Sequence, residues 1–317
     1  EVETAQVLVE SHKKYPSKPL IAVFMGGNSM VYPRIVLTEG GIPVFDFPER
    51  AVHAIAELYQ YTVNRDSLKD EAIPTFKVNK KKARAIIDAV RKDNRRVLLG
   101  SEAHAIAEAY GIPVAKIRLA TSSEEAKNLA DELGYPVVLK IASPDIVHKS
   151  DIGGIRVGLD TPEAVEEAFL QILDNARAHM PHAMIYGVDV QEMASKGKEL
   201  IIGCSRDVQF GPLVMFGAGG IFVNYLKDIA FRLAPMTRSD ASELIMETKM
   251  GTLLRGVRGE APSDIVAIED TILRISQLVT DLEDIVELDI NPAFAYEKGK
   301  GVSAVDVKIT IGGKKTD

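Results

Sequence analysis

The strongest constellation of chemistry-bearing residues lies near the C-terminus, in Ile285-Val-Glu-Leu-Asp-Ile-Asn-Pro292. Alternate residues of a strand share a face. Glu287, Asp289 and Asn291 therefore project one way, while Val286, Leu288 and Ile290 point into a core. The segment Val302-Ser-Ala-Val-Asp-Val-Lys308 reads as the returning strand of a hairpin and adds Asp306. Hard oxygen donors with room left for water and phosphate suit Mg²⁺. The competing interpretation is a solvated polar face, but the first strand lacks the positive residues such faces usually carry.

Lys140 ends the apolar run Pro136-Val-Val-Leu-Lys-Ile141. A lysine entering a buried strand needs an anionic partner or a route to water. A nucleotide phosphate would supply the first, and a snorkelling side chain the second. The loop that follows, Ser143 to Gly154, contains His148, Lys149, Gly153 and Gly154. Glycines let backbone amides approach a phosphate closely, although the loop is no Walker A sequence. A histidine that is largely neutral near pH 7 is a competent nucleophile toward a phosphoryl group; an ordinary exposed loop histidine is the alternative. The other five histidines show no comparable surroundings.

Two further segments suit a nucleotide cleft. Glu192 and Met193 end the run Val188-Asp-Val-Gln-Glu-Met193, where an adenine could lie against backbone and an apolar side chain. Glu199 opens the next strand and Arg206 closes it, and an arginine fork suits phosphate. Phe216-Gly-Ala-Gly-Gly220 is a second glycine turn, either a phosphate approach or merely a tight turn.

Alternating elements must position these residues. Residues 3–14 predict a helix, Leu20 to Phe24 a strand, Gly26-Gly27 a turn into a helix ending at Glu39, Pro43 to Phe45 a strand, and Pro48 to Tyr61 a helix with proline in its first turn. Helix–strand alternation with short turns signals a doubly wound α/β layer. Two strands are too few for one, so residues 1–65 read as a partial domain completed by upstream sequence or another chain. Residues 66–79 read as a linker. From residue 80 to 317 the pattern is α+β: helices at 80–91, 101–110, 162–179, 238–248 and 263–280, one starting at the capping box Ser122-Ser-Glu-Glu125, and strands at 114–119, 136–141 and within 184–216 before the closing strand pair.

Bulk properties are those of an ordinary globular protein, with 46% apolar and 26% charged residues. A net charge of −7 argues against nucleic-acid or anionic-membrane partners. One cysteine, Cys204, excludes an intrachain disulfide. The most apolar run, Phe210 to Val223, is too short to span a bilayer and is broken by Pro212 and glycines. No signal peptide is evident, which leaves the cytoplasm as the expected location. The chain starts at Glu1 rather than methionine, as a processed or partial product would.

The ordered series from Pro136-Val-Val-Leu-Lys140, through the His148 loop, Gln191-Glu-Met193 and Glu199 to Gly220, to Glu287-Leu-Asp-Ile-Asn-Pro292 and Ala304-Val-Asp-Val-Lys308 resembles the ATP-grasp portion of NDP-forming acyl-CoA synthetases, relatives of succinyl-CoA synthetase. The resemblance covers roughly residues 80 to 310, and the His148 block is specific to this group. Residues 1–65 resemble the end of the CoA-ligase domain that precedes ATP-grasp in fused members. The fold implied is α/β: an ATP-grasp domain of two α+β subdomains preceded by part of a flavodoxin-like doubly wound domain.

The resemblance implies an acid–thiol ligase that interconverts acyl-CoA, ADP and phosphate with carboxylic acid, ATP and CoA. A histidine in an upstream domain would take the phosphoryl group from an acyl phosphate, and His148 matches the second histidine that relays it to ADP. By the same resemblance Lys140 holds nucleotide phosphates and Glu192 with Met193 reads adenine. Asn291 and Asp306, with Asp289 close by, bind Mg²⁺. Gly153, Gly154, Glu199 and Arg206 complete the expected nucleotide set. The CoA-binding Rossmann domain and first phosphohistidine are missing from these residues, so upstream domains, in the same product or a separate chain, are the expected partners, in an oligomer. Two other readings are open: a nucleotide-sensing module like the degenerate synthetase region of some protein acyltransferases, and a ligase that uses an acyl phosphate directly. Neither the acid nor, with certainty, the base is fixed by these residues.

Overall fold

The structure is a computed structural model that describes residues 1–67, 71–146, 148–220, 228–257 and 259–313. The chain forms two compact units, Glu1–Glu71 and Ala72–Asp317. Residues 68–70 of the expected linker, 221–223 of the apolar run and 314–317 of the expected second domain lie outside the described residues.

The first unit contains α1 (Val2–Lys14), β1 (Ala22–Val23), a 3-10 turn (Asn28–Met30), α2 (Val31–Glu39), β2 (Val44–Phe45) and α3 (Pro48–Ser67). The two strands pair in parallel, Ala22 opposite Val44 and Val23 opposite Phe45. Its buried core amounts to Ala5, Ala22, Leu37 and Ile42. Val31, Tyr32, Val52, Leu58 and Tyr59 remain more than half exposed, so apolar surface here exceeds what the unit covers by itself. The helix from Pro48 continues past Tyr61 to Ser67, into the stretch expected to be a linker. Neither glycine nor proline interrupts it there, and Gln60 bonds Asn64 one turn on.

The second unit has two antiparallel sheets. Its elements are α4 (Lys80–Lys92), α5 (Gly100–Ala109), β3 (Ile117–Ala120), α6 (Ser123–Leu133), β4 (Val137–Ala142), β5 (Ile155–Leu159), α7 (Pro162–His179), β6 (Gly187–Glu192), β7 (Lys198–Asp207), β8 (Gly211–Ala218), β9 (Ile229–Leu233), α8 (Arg238–Met246), α9 (Lys249–Leu254), α10 (Ile265–Asp281), β10 (Ile285–Ala295), β11 (Val302–Ala304) and β12 (Val307–Ile311). The small sheet has strand order β3-β6-β4-β5. Helices α6 and α7 cover one of its faces around Leu139, Ile141, Phe169 and Ile172. The large sheet has order β11-β10-β7-β8-β9, with β12 also paired to β10. Helices α4, α5 and α8 to α10 bury its other side around Ile87, Phe216, Ile272 and Ile290.

Helix starts follow their capping residues. Ser122 Oγ accepts the Glu125 N–H at 3.2 Å, while the Glu125 carboxylate reaches Thr121 rather than Ser122. Thr161 caps α7 in the same way, with Pro162 in its first turn.

The closing hairpin departs from strict alternation at several points, among them a shift between Ile290 and Ala293. A register shift between Ile285 and Glu287 turns Ile285 inward (1% exposed) and leaves Val286 at 36%, so Val286 does not join the core as expected. The returning strand is broken into β11 and β12, and Val305-Asp306 sits at the break. Phase recovers downstream, with Leu288 and Ile290 buried and Asp289 and Asn291 on the opposite face. The bulge is checked by paired truncations: Leu288→Ala should cost about 2–5 kcal/mol in urea unfolding, and Val286→Ala no more than about 0.5 kcal/mol.

Candidate functional site

Two strands, one from each sheet, lead from a broad cleft toward the histidine loop. The cleft, about 1190 Å³, is lined by Tyr135 and Pro136, by Glu192 and Met193 at the end of β6, and by Ala295 and Tyr296 on β10. The Met193 N–H donates to the Pro136 carbonyl, and the Glu192 carboxylate accepts the Lys116 N–H at 2.9 Å. Glu192 is thereby tied down while the hinge backbone stays at the cleft wall. Three residues back along β6, about 10 Å at strand rise, Asp189 stands opposite Lys140 of β4.

Lys140 extends toward the break in the closing hairpin. Its Nζ lies 3.4 Å from Asp306 Oδ1 and 3.5 Å from the Val305 carbonyl. Lys308 approaches the other Asp306 oxygen at 3.8 Å. Lys140, His148, Lys149, Ser150, Asp306 and Lys308 line one small cavity of about 140 Å³. Burial works against the Asp306 carboxylate, yet Lys140, Lys149 and Lys308 together hold its pKa below the usual range. Lys149 is itself lowered by burial, with Lys140 and Lys308 adding repulsion. Lys149 and Lys140 also face the buried Asp189 carboxylate, and Asp151 lines the same cavity, so the three ammonium groups stand among several carboxylates; ammonium groups gathered beside an exposed histidine suit a phosphate. His148 is exposed at this cavity. Val147, beside it, lies outside the described residues.

Asp289 and Glu287 line an adjoining cavity of about 340 Å³ that shares Lys149 and Lys308 with the first. Burial raises the Asp289 pKa, and the neighbouring Asp306 and Glu287 charges raise it further. Carboxylates that repel one another at a half-buried site fit a cation. Asn291 Oδ1 accepts the Gly220 N–H at 3.0 Å, and the Asn291 N–H donates to the Asp306 carbonyl. One lone pair of Asn291 Oδ1 is left over. Among the described residues no group of three or more His, Cys, Asp and Glu side chains converges closely enough to hold a metal by itself. The donor set therefore suits Mg²⁺ that completes its shell with water and nucleotide oxygens.

The remaining expected residues divide. Glu199 borders Gly220, where an added Cβ would lie 1.8 Å from its carboxylate, so it joins the Asn291 end of the site. Gly153 and Gly154 do not offer their amides to a ligand. The Gly153 N–H donates to Ser150 and the Gly154 N–H to Lys149, within the loop itself. Their function is a tight turn, with Gly153 at φ 65°. Arg206 is not brought to the site. Its guanidinium donates to the Val279 and Ile285 carbonyls at the far end of β7 and ties α10 to β10.

Sequence reasoning missed three groups beneath the cavity: Asp189, Gln191 and His104, each no more than 2% exposed. The alternation Val188-Asp-Val-Gln191 could have revealed the first two as one polar face of a buried strand. Burial pushes the Asp189 carboxyl up to about 6, against the opposing pull of Ser101, Lys149 and Lys140. A Cβ at Gly100 would sit 2.7 Å from Asp189 Oδ2, so the start of α5 must be glycine for the carboxylate to lie there.

The family described as "ATP-grasp domain" matches residues 88–311. A 4-hydroxybutyrate–CoA ligase [ADP-forming] of Nitrosopumilus maritimus is 45% identical over 97% of this chain and 44% of its own length. The chain thus spans less than half of that relative. The β subunit of acetate–CoA ligase [ADP-forming] I of Pyrococcus furiosus is 47% identical over 73% of this chain and 98% of the subunit. A solved structure of Ca. Korarchaeum cryptofilum dinucleotide forming acetyl-coenzyme A synthetase 1 matches with TM-score 0.64 and 44% identity, over 73% of this chain and 100% of that one. That structure holds coenzyme A and Mg-AMPPCP, with a phosphohistidine segment pointing towards the nucleotide binding site. No helix among the described residues is long and apolar enough to cross a membrane.

Because Asp189 carries a folded pKa above its unfolded value, the folded form binds the extra proton and its stability falls as pH rises from about 4 to about 6. Asp189→Asn removes that penalty. The variant should melt higher than the parent at pH 7.5, with the difference closing at pH 4, as calorimetric scans at both pH values would report.

Proposed function

The chain belongs to the ATP-grasp family of ADP-forming acyl-CoA synthetases, and from that premise we propose that it is the nucleotide-handling part of an acid–thiol ligase, relaying phosphoryl groups between His148 and ADP. The complete reaction converts acyl-CoA, ADP and phosphate to carboxylic acid, ATP and CoA, and runs in reverse. The observation that carries this reading is the single cavity in which His148 meets Lys140, Lys149, Lys308 and Asp306.

The base and phosphates of the nucleotide would lie along the strands that join the cleft to this cavity. Adenine rests at the Glu192–Met193 hinge, the phosphates reach Lys140, and Glu199 closes the Asn291 end. Lys140, Lys149 and Lys308 spread positive charge around the transferring group, which is where phosphoryl transfer gains most. A ring nitrogen of His148 forms the N–P bond as the donor's bond to phosphorus breaks. A terminal oxygen of ADP then attacks phosphorus, and the free imidazole returns. Asp289, Asn291 and Asp306 would hold Mg²⁺, which when bound neutralises charge on the nucleotide oxygens. Gly153 and Gly154 hold the loop's shape without touching phosphate.

The phosphoryl donor to His148 is a phosphohistidine on an upstream domain that also provides the CoA site. Two features support this partner. The chain spans 44% of the fused relative, and the exposed apolar side chains of the first unit suit the remainder of a doubly wound domain. The domain reading that follows is a partial CoA-ligase domain at residues 1–65, a linker at 66–79 and an ATP-grasp domain at 80–317, in an oligomeric cytoplasmic enzyme. The relatives named for acetate and for 4-hydroxybutyrate leave the acid itself to the missing half.

His148→Ala should lower nucleotide-linked turnover at least about a thousandfold while nucleotide binding and the melting point persist. Intact-mass spectrometry at neutral to alkaline pH, followed by mapping of peptide 136–156, should find an acid-labile phosphate on His148 after incubation with MgATP. Unchanged turnover in the variant would sink the relay.

A further inference from the structure

The Val305 carbonyl is the point where the two sheets of the second unit meet beside Asp306. Three nitrogen atoms face its oxygen: Gln191 Nε2 at 2.7 Å, His104 Nε2 at 3.3 Å and Lys140 Nζ at 3.5 Å. They come from β6, α5 and β4 respectively. The Gln191 bond is the shortest of the three. Burial holds His104 neutral, and its Nδ1 already lies 2.8 Å from the Gly100 carbonyl. A neutral imidazole carries one proton, so His104 can donate to only one of the two carbonyls it faces, Gly100 or Val305. Lys140 shares its ammonium with Asp306 and stands at the limit of hydrogen-bond length.

The rest of the segment is fixed from β10. The Val305 N–H donates to Pro292 at 3.0 Å, and the Asp306 carbonyl accepts the Asn291 N–H at 3.1 Å. The Gln191 bond is different, because it crosses from the small sheet to the large one. It also comes at a cost to stability. Gln191 is 1% exposed, and its Oε1 has no hydrogen-bond partner among the described residues. A buried, unmet amide oxygen is unfavourable, and an apolar side chain of the same length would avoid it. Its neighbours Val188 and Val190 are fully buried and apolar.

We propose that Gln191 is a positioning residue: its amide pins Val305 across the two sheets and so orients the Asp306 carboxylate toward Mg²⁺, touching neither metal nor nucleotide. Gln191 directly precedes the Glu192–Met193 hinge. The same strand thereby sets the adenine end and the metal end of the site in register. The proposal rests on the assignment of Asp306 as a metal ligand made above.

The test is calorimetric titration of the complete protein with AMPPCP, with and without Mg²⁺. Gln191→Met keeps the side-chain length and removes both the donor and the unmet oxygen. Metal-free binding should stay within about twofold of the parent, while the tightening caused by Mg²⁺ should shrink about tenfold. The melting point should hold or rise. Gln191→Leu, apolar and without the donor, should show the same loss of Mg²⁺ tightening. Full Mg²⁺ tightening in the Met variant would overturn the proposal. So would a lower melting point as its only change, or failure of both variants to fold, since each marks a purely structural role. Missing phosphate on His148 would sink the relay and leave this comparison intact. Lack of any Mg²⁺ tightening in the parent would overturn the metal assignment and the role of Gln191 with it.

Discussion

Three ammonium groups, on Lys140, Lys149 and Lys308, gather around the Asp306 carboxylate, and the two sheets of the second unit and the histidine loop bring them there. Lys140 arrives from the small sheet, Lys149 from the loop after it, and Lys308 from β12 of the large sheet. Like charges gathered in a partly buried place raise the free energy of the protein alone. Asp306 offsets part of this, and its depressed pKa expresses how strongly it is needed. On the function proposed above, phosphate would be met by side chains that both sheets supply, not by a dedicated phosphate loop.

Most of the layout was legible in the amino-acid sequence because local signals agreed with the global fold. Capping residues and apolar periods placed the helices, and Thr161-Pro162 to His179 needed no revision. The ordered segments around Lys140, His148, Glu192 and Asn291 placed the ligand-facing ends of the strands. Alternation also predicted that Asp289 and Asn291 share a face. It failed at Val286, because a bulge inserts a residue without changing the apolar pattern that announces a strand.

The expectation for Gly153 and Gly154 missed a loop that closes on itself through Ser150 and Lys149, and the one for Arg206 missed partners far along the chain. Residue type states what a group can bind, but not which partners the fold gives it. Arg206 serves carbonyls more than seventy residues away. Asp189, Gln191 and His104 were overlooked for the converse reason. Asp189 matters through Gly100, and Gln191 and His104 through Val305, contacts that no local spacing encodes. Alternation could mark two of them as buried and polar, but not say what they hold.

Strand order has a consequence for how the protein is made. All four strands of the small sheet come from one continuous stretch, residues 117–192, so that layer can close as soon as the stretch leaves the ribosome. The large sheet cannot. Its strand β10 lies between β7 and the terminal strands β11 and β12, and its core joins Ala83 and Ile87 to Ile309 and Ile311. Helices α4 and α5 therefore complete their packing against the large sheet only once β12 has been made. The half of the site that carries the histidine loop can take shape during translation, and the half that carries the metal-facing carboxylates only at its end.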